Sequence, residues 1–229
     1  MHHLLLFLIV ITPGISIAIY VYLLDKHEPE PIRLMMLSFG LGILALFLDL
    51  LVGIPLETLL NIHEHDLQDQ ALHAFVLVAF TEELLKFIFI RGILYPNKNF
   101  NEPLDGIIYA TMVGMGFATA ENLFYVVNAG IGAGLVRMVT AIPAHALFAV
   151  IMGYYLGLSK FHATKPWLYG FLALGVSTLL HGIYDYFIFI SFIPFIWMLS
   201  ALCLVVAFFM AKRAIRIHEQ ASPFKKSDL

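Results

Sequence analysis

Eight ionisable side chains lie well inside long apolar stretches of the sequence, away from their ends, where a lipid bilayer would surround them. They are Asp49, Glu82, Glu83, Lys86, Glu121, His145, His181 and Asp185. Each charged side chain at mid-bilayer costs roughly 2.5–3.5 kcal/mol, so the carboxylates and the lysine would together cost on the order of 15 kcal/mol if unpaired. They must therefore be paired, neutralised, bound to a metal or exposed to a water-filled cavity. Such intramembrane groups indicate a functional site.

Glutamates and histidines together are residue types that activate water. Imidazoles and a carboxylate can hold Zn²⁺ in three positions and leave the fourth for water, and a free glutamate then takes the proton. The H-E-x-x-H motif of soluble zinc proteases is absent, so the ligands would come from three helices. Serine or cysteine catalysis fits less well, because the serines lack a nucleophile-elbow or Ser–Lys context and Cys203 stands apart from both histidines.

Two adjacent glutamates precede a lysine in the third apolar stretch. On a helix, Glu82 and Lys86 are i,i+4 neighbours, and Glu83 and Lys86 are i,i+3 neighbours. The adjacent carboxylates point about 100° apart, so we expect only one of them to face a given site. A self-neutralising pair is the structural alternative, although one lysine balances only one charge.

The remaining buried polar residues need partners from other helices. Glu121 has no basic residue within a helical turn. His181 and Asp185 are i,i+4 neighbours, which suits two metal ligands or a histidine oriented by a carboxylate. Asp49 is expected to act as a structural partner, either lining the cavity or pairing with Lys86.

Transmembrane helices are the elements that must position these residues. The chain is 61% apolar and 13% charged, whereas soluble proteins carry about 25% charged residues. A membrane span needs about 20 apolar residues, and the sequence contains seven such stretches, at roughly 4–24, 34–58, 72–94, 104–128, 135–158, 167–189 and 192–213. We predict an all-α polytopic membrane bundle that forms one domain over residues 1–229, with a short basic tail at 214–229. The net charge of −3 gives no electrostatic footprint for nucleic acid.

The positive-inside rule orients the seven predicted helices. One side of the membrane would hold only Arg137, and the other side would hold Lys26, Arg33, Arg91, Lys98, Lys160, Lys165, Lys212, Arg213, Arg216, Lys225 and Lys226. The N-terminus is therefore predicted outside and the C-terminus in the cytoplasm. At about 1.5 Å rise per residue, Glu82, Glu121, His145 and His181 lie roughly 10–15 Å below the outer helix ends. We expect them to converge on one polar cavity in the outer half of the membrane.

From the sequence alone, we assign no catalytic or binding role to two further polar regions. Residues 25–31 are interpreted as a rigid acidic cap at the cytoplasmic surface, because Pro29 and Pro31 restrict the backbone. The histidines at positions 63, 65 and 73 lie in or beside a predicted outer loop and are interpreted as solvated.

The order of several motifs resembles that of the PrsW family of intramembrane proteases, relatives of the CAAX prenyl endopeptidases. The motifs are residues 25–31, Glu82-Glu83-x-x-Lys86, residues 105–109, Phe117-x-x-x-Glu121-Asn122, His145-Ala146 followed by residues 153–157, and His181-Gly182-x-Tyr184-Asp185. The resemblance implies a multi-pass protease of the bacterial cytoplasmic membrane. It further implies that the substrate is a single-pass membrane protein such as an anti-sigma factor, cut first near the extracytoplasmic face in envelope-stress signalling.

The resemblance also implies roles for individual residues. Glu82 would be the water-activating base, with Glu83 and Lys86 as its electrostatic support. The catalytic group is Glu82, Glu83, Lys86 and Asn122, and the metal-holding group is Glu121, His145, His181 and Asp185. Zn²⁺ is the expected metal, but the prenyl endopeptidase relatives suggest a metal-free glutamate–histidine mechanism as the alternative. The sequence also leaves open which of the two adjacent glutamates is the base.

Three other functions compete with this one. A proton- or metal-ion-coupled transporter could use the same buried residues, although the repeated halves typical of transporters are absent. A noncatalytic scaffold would leave the buried charges without a purpose. Cleavage after a prenylated cysteine predicts a site on the cytoplasmic side, against the depth estimate.

Overall fold

The computed structural model describes residues 2–161 and 164–225, and this part of the chain folds into helices without strands. Lys226, which belongs to the predicted basic tail, lies outside the described residues. The helices are α1 (His2–Tyr22), α2 (Ile32–Leu60), α3 (Leu67–Leu72), α4 (Thr81–Phe89), α5 (Pro103–Ala129), α6 (Ile131–Val139), α7 (Ala141–Phe161), α8 (Pro166–Phe189) and α9 (Met198–Gln220). Two π-helical segments, π1 (His73–Phe80) and π2 (Ile90–Leu94), flank α4 and join it to α3 in one continuous rod over residues 67–94.

The predicted helical membrane bundle is confirmed. Four helical segments are long and apolar enough to cross a membrane by length and composition: α2, α6 with α7, α8 and α9. The other three predicted stretches coincide with α1, the rod over residues 67–94, and α5. Large apolar side chains cover the outside of the bundle, as lipid contact requires; examples are Met36, Leu51, Val127 and Phe171. The number of crossings and the side that each end faces stay predictions.

Helix α5 is the central element of the bundle. Almost every residue from Pro103 to Thr119 is buried, and α5 packs against α7, α2 and α1. It approaches α7 closely where Gly106 and Gly153 face each other, so tightly that a Cβ atom on either would overlap the other's backbone. Small residues allow this approach between membrane helices. The helix that carries Glu121 is therefore held rigidly along most of its length.

Two helix boundaries differ from the sequence prediction. The stretch predicted as one helix over 135–158 is split at Thr140 into α6 and α7, because Thr140 leaves helical geometry at φ −118° and ψ −76°. The last predicted helix, at 192–213, begins only at Met198. Residues 190–197 form turns and a bend, and Phe195, beside Pro194, adopts a positive φ of 64°. Apolar composition continues through Thr140 and concealed that interruption.

The rod over residues 67–94 begins earlier than predicted because it has a polar N-terminus. The Asp66 side chain accepts hydrogen bonds from the backbone N–H groups of Gln68 and Asp69, which caps the first turn. Inside the rod, π1 and π2 each replace regular α-helical turns. Segments of this kind occur frequently at functional sites, and here they enclose the nine residues of α4 that carry both adjacent glutamates.

Candidate active site

Helix α4 presents three charged side chains to the interior of the bundle. Glu82, Glu83 and Lys86 are 5%, 1% and 2% exposed, respectively. The Lys86 ammonium donates to Glu82 Oε2 at 3.2 Å and to Glu83 Oε1 at 2.8 Å. Both glutamates therefore reach the same lysine, although only Glu82 also lines the cavity described below. A glutamate side chain has enough rotatable bonds to bring its carboxylate to a shared partner even when the two Cα–Cβ directions diverge.

His181 on α8 is held between two carboxylates. Its Nδ1 lies 3.0 Å from Glu83 Oε1, and its Nε2 lies 3.1 Å from Asp185 Oδ2. The i,i+4 spacing of His181 and Asp185 thus places both on one helix face, as predicted. Phe148 stacks on the imidazole ring at a centroid distance of 5.1 Å. These contacts fix the ring with Nδ1 toward the glutamates of α4.

His145 on α7 joins the lysine of α4 to the glutamate of α5. Its Nδ1 lies 3.3 Å from Lys86 Nζ, and its Nε2 lies 2.9 Å from Glu121 Oε2. Because an ammonium can only donate, Nδ1 accepts from Lys86, and Nε2 then carries the proton that it donates to Glu121. The carboxylate and the ammonium together define the tautomer of this imidazole.

Glu121 has a second partner that the sequence prediction did not include. Arg137 on the short helix α6 forms an ion pair with Glu121 Oε2. Its guanidinium also lies over the Tyr125 ring, 3.9 Å from the centroid. The prediction that Glu121 needs a partner from elsewhere in the chain is confirmed. The signal that could have identified Arg137 was its isolation as the only arginine or lysine on the predicted outer side.

A cavity of about 820 Å³ connects these groups. The polar residues that line it include Asp49, Glu57, His73, Glu82, Glu121, Arg137, His145, His181 and Asp185. Residues from six parts of the chain therefore meet in one space, as the similar depths on their helices predicted. Glu83 and Lys86 are not among the lining residues and lie behind Glu82.

Two of the predicted site residues lie at the edge of the cavity or away from it. Asp49 lines the cavity and accepts a hydrogen bond from Thr81 Oγ1 at 2.8 Å, so its partner is Thr81 rather than Lys86. Asn122 is fully buried and donates to the backbone carbonyl of Ile9 at 3.2 Å, toward α1. The structure does not bring Asn122 to the cluster, and its predicted catalytic role is without a supporting contact.

The donor atoms suit a zinc ion. One atom each from Glu82, Glu83, His145 and His181 lies within 4.8 Å of the other three. Imidazole nitrogens and carboxylate oxygens are ligand types that Zn²⁺ takes in catalytic sites, so these residues would be able to hold the ion. Glu121 and Asp185, predicted as ligands, instead contact the outer nitrogens of the two histidines. Carboxylates in that position orient metal-bound imidazoles.

The fold and the cluster together define a polytopic helical membrane protein with a buried glutamate–histidine centre suited to activating water. The PrsW family of intramembrane metalloproteases matches residues 30–211. The chain belongs to this family, and it is accordingly an intramembrane peptidase of the multi-pass type. The ion-coupled transporter and the noncatalytic scaffold are thereby set aside.

Individual relatives cover most of the chain. It is 37% identical over 179 residues to the protease PrsW of Bacillus subtilis strain 168, covering 77% of this chain and 79% of the relative. It is 34% identical over 176 residues to the protease PrsW of Geobacillus kaustophilus, covering 77% and 76%. It is 34% identical over 194 residues to the protease PrsW of Clostridioides difficile, covering 82% and 80%. No solved structure matches the chain.

Proposed function

We propose that this intramembrane peptidase hydrolyses one peptide bond of a single-pass membrane protein near the extracytoplasmic face. We further propose that the substrate is an anti-sigma factor and that this cut is the first in envelope-stress signalling. The observation that carries the proposal is the meeting of Glu82, His145 and His181 at the wall of one cavity. The cavity reaches Glu57 and His73, beside the loop predicted to lie outside.

Glu82 is the proposed base that takes the proton of the attacking water. It lines the cavity and has Lys86 as its hydrogen-bond partner. Glu83 is bonded to both Lys86 and His181 and lies off the cavity wall, which suits a supporting role. After attack, the protonated Glu82 would deliver its proton to the nitrogen of the leaving amine. This exchange needs a carboxylate that reaches the substrate.

His145 and His181, with a glutamate of α4, are the residues proposed to hold a metal ion, expected to be zinc. A bound Zn²⁺ would acidify a water molecule and polarise the scissile carbonyl. Glu121 and Asp185 would orient the two imidazoles through their outer nitrogens. Arg137 would hold Glu121 in that position.

The metal-free alternative has one specific observation in its favour. The Lys86 ammonium lies within hydrogen-bond distance of Glu82, Glu83 and His145, so a cation already contacts three of the four donor residues. In that mechanism Glu82 would still be the base. The histidines would stabilise the oxyanion, which is a role for preorganised donors.

Cleavage of a single-pass substrate resembling an anti-sigma factor by purified protein in detergent tests the proposal. Wild type, Glu82→Gln and Glu64→Gln are compared, since Glu64 is an exposed glutamate outside the cluster. We expect Glu82→Gln to abolish cleavage and Glu64→Gln to leave it unchanged. Loss of cleavage with 1,10-phenanthroline and its return with zinc would support the metal mechanism, whereas resistance to chelation would support the metal-free one. Cleavage by Glu82→Gln at the wild-type rate would overturn the assignment of the base.

A further inference from the structure

A second group of buried carboxylates lies far from the cavity. Asp25 follows α1, Glu102 precedes α5, and Asp105 is in the first turn of α5. One oxygen atom from each lies within 4.8 Å of the other two. The three residues are 4%, 1% and 0% exposed. Because Asp105 and Glu121 are separated by sixteen residues of α5, the two groups lie about 24 Å apart along that helix.

Both aspartates are fixed by backbone hydrogen bonds through a single carboxylate oxygen. Asp25 Oδ1 accepts from the N–H groups of His27 and Glu28 at 3.3 and 3.1 Å. Asp105 Oδ2 accepts from the N–H groups of Asn101 and Glu102 at 2.7 and 2.8 Å. Asp25 Oδ2 is buried and has no hydrogen-bond partner among the described residues, whereas the Asp105 carboxyl also shares a hydrogen bond with Glu30. Asp25 therefore offers one oriented, unpartnered oxygen atom to the group.

The surroundings add negative charge and no compensating ion pair. Glu28 accepts from the Asn101 amide at 3.0 Å, and Glu30 accepts from the Tyr109 hydroxyl. Within the described ranges, none of these carboxylates lies within 4.0 Å of a lysine, arginine or histidine nitrogen. Burying several carboxylates without a counterion is unfavourable. Bound protons or a bound cation must offset this charge.

We propose that Asp25, Glu102 and Asp105 bind a hard divalent cation, Mg²⁺ or Ca²⁺. The donor set consists of carboxylate oxygens alone, which these two ions prefer. Imidazole and thiolate, the softer ligands of zinc and copper, do not belong to the group. The ion would fasten the segment after α1 to the first turn of α5. This inference does not depend on the proposed function, because the group lies outside the catalytic cavity.

Burial also raises the pKa values of acids in this group, as expected for carboxyl groups that have no counterion. Loss of solvent raises the pKa of Asp25, and it raises the pKa of Glu102 as well. A cation would stabilise the ionised forms and reverse that effect. Shared protons are the competing explanation, and they predict stability that depends on pH and not on the cation.

Thermal unfolding of the purified, EDTA-treated protein in detergent at neutral pH distinguishes the two explanations. We expect Mg²⁺ or Ca²⁺ to raise the melting temperature saturably by several degrees. Asp25→Asn should lose this rise, and Glu219→Gln, a glutamate of α9 outside the group, should keep it. If Asp25→Asn does not fold, Glu102→Gln takes its place. The rise should persist in His181→Ala, which alters only the catalytic cluster.

A direct binding measurement accompanies the unfolding experiment. Tb³⁺ replaces these ions at oxygen sites, and Tyr109, bonded to Glu30, lies close enough to transfer excitation energy to it. We expect tyrosine-sensitised Tb³⁺ luminescence from the wild type that Ca²⁺ displaces, and a loss of at least tenfold in Asp25→Asn or Glu102→Gln. Absence of any cation effect on the wild type would overturn the proposal. So would a cation effect that both variants retain.

Discussion

Arg137 on α6 and Glu121 on α5 form an ion pair, although the sequence places them in two different predicted helices. Glu121 is near the end of α5, and Arg137 is on α6, the short helix that Thr140 separates from α7. Arg137 is the only arginine or lysine among the described residues that line the cavity. Through Glu121 it reaches Nε2 of His145, so a residue outside the cluster controls the orientation of an imidazole within it.

Replacing Arg137 tests this relationship. We expect Arg137→Gln to reduce the cleavage rate about 10–100-fold, the usual effect of losing a group that orients a ligand. Arg137→Lys should restore part of the rate, since it keeps the charge and loses the planar guanidinium. Arg33→Gln is the matched control, because Arg33 is exposed at the other end of the bundle. Equal rates for wild type and Arg137→Gln would show that the ion pair has no catalytic importance.

The two adjacent glutamates should differ when each is replaced by glutamine. Glu83 bonds both Lys86 and His181, so Glu83→Gln should lower the free energy of unfolding by about 3–5 kcal/mol, the effect of breaking a buried ion pair. Glu82→Gln should abolish cleavage with a smaller loss of stability, because Glu82 contributes one bond at 3.2 Å. Denaturant unfolding and cleavage are measured on both variants. A larger loss of stability in Glu82→Gln would reverse the two roles.

The stability of the cation-free protein should fall as pH rises through about 6. Burial raises the pKa of Glu30 to about 6, and neighbouring Asp25 and Glu28 raise it further, while Tyr109 and Asp105 act against this through hydrogen bonds. A carboxyl group with a raised pKa in the folded state favours folding while it is protonated, and that contribution is lost as pH rises through the folded pKa. Melting temperatures in EDTA from about pH 5 to pH 8 measure the effect. Glu30→Gln should flatten the curve; an unchanged curve would assign the pH dependence to other groups.

The contact between α5 and α7 should tolerate no added side-chain volume. A methyl group on Gly153 would overlap the backbone of Gly106 and Ile107, so Gly153→Ala should destabilise the protein by about 1–3 kcal/mol or more. Gly175 on α8 has open space around it, and Gly175→Ala provides the comparison. Thermal unfolding in detergent measures both. Equal melting temperatures would mean that the two helices can separate without loss of stability.

The sequence predicts the helices well because hydropathy and length determine whether a segment can span a membrane. It also predicts the pairing of His181 with Asp185, since residues at i and i+4 share a helix face. The interruption at Thr140 was missed because the residues on both sides are apolar, and hydropathy does not report backbone dihedrals. The same insensitivity concealed the segments π1 and π2.

Contacts between helices were harder to predict than contacts within them. Asn122 was predicted to act in the site because it adjoins Glu121 in one motif. Successive residues on a helix point about 100° apart, however, and Asn122 faces α1. The acidic residues 25–31 were interpreted as a cap because nothing in the sequence indicates that Glu102 and Asp105 meet Asp25. That contact depends on how the ends of α1 and α5 come together, which requires the three-dimensional structure.

The π-helical turns before α4 limit where the chain can accept insertions and deletions. A one-residue deletion that left the wide turns of π1 in place would rotate everything before it by roughly 80–100° relative to α4. His73, which lies at the mouth of the cavity, would then leave the face that it shares with Glu82. Insertions and deletions among natural relatives should therefore collect in the connections at 61–66 and 95–102 and avoid the turns of π1.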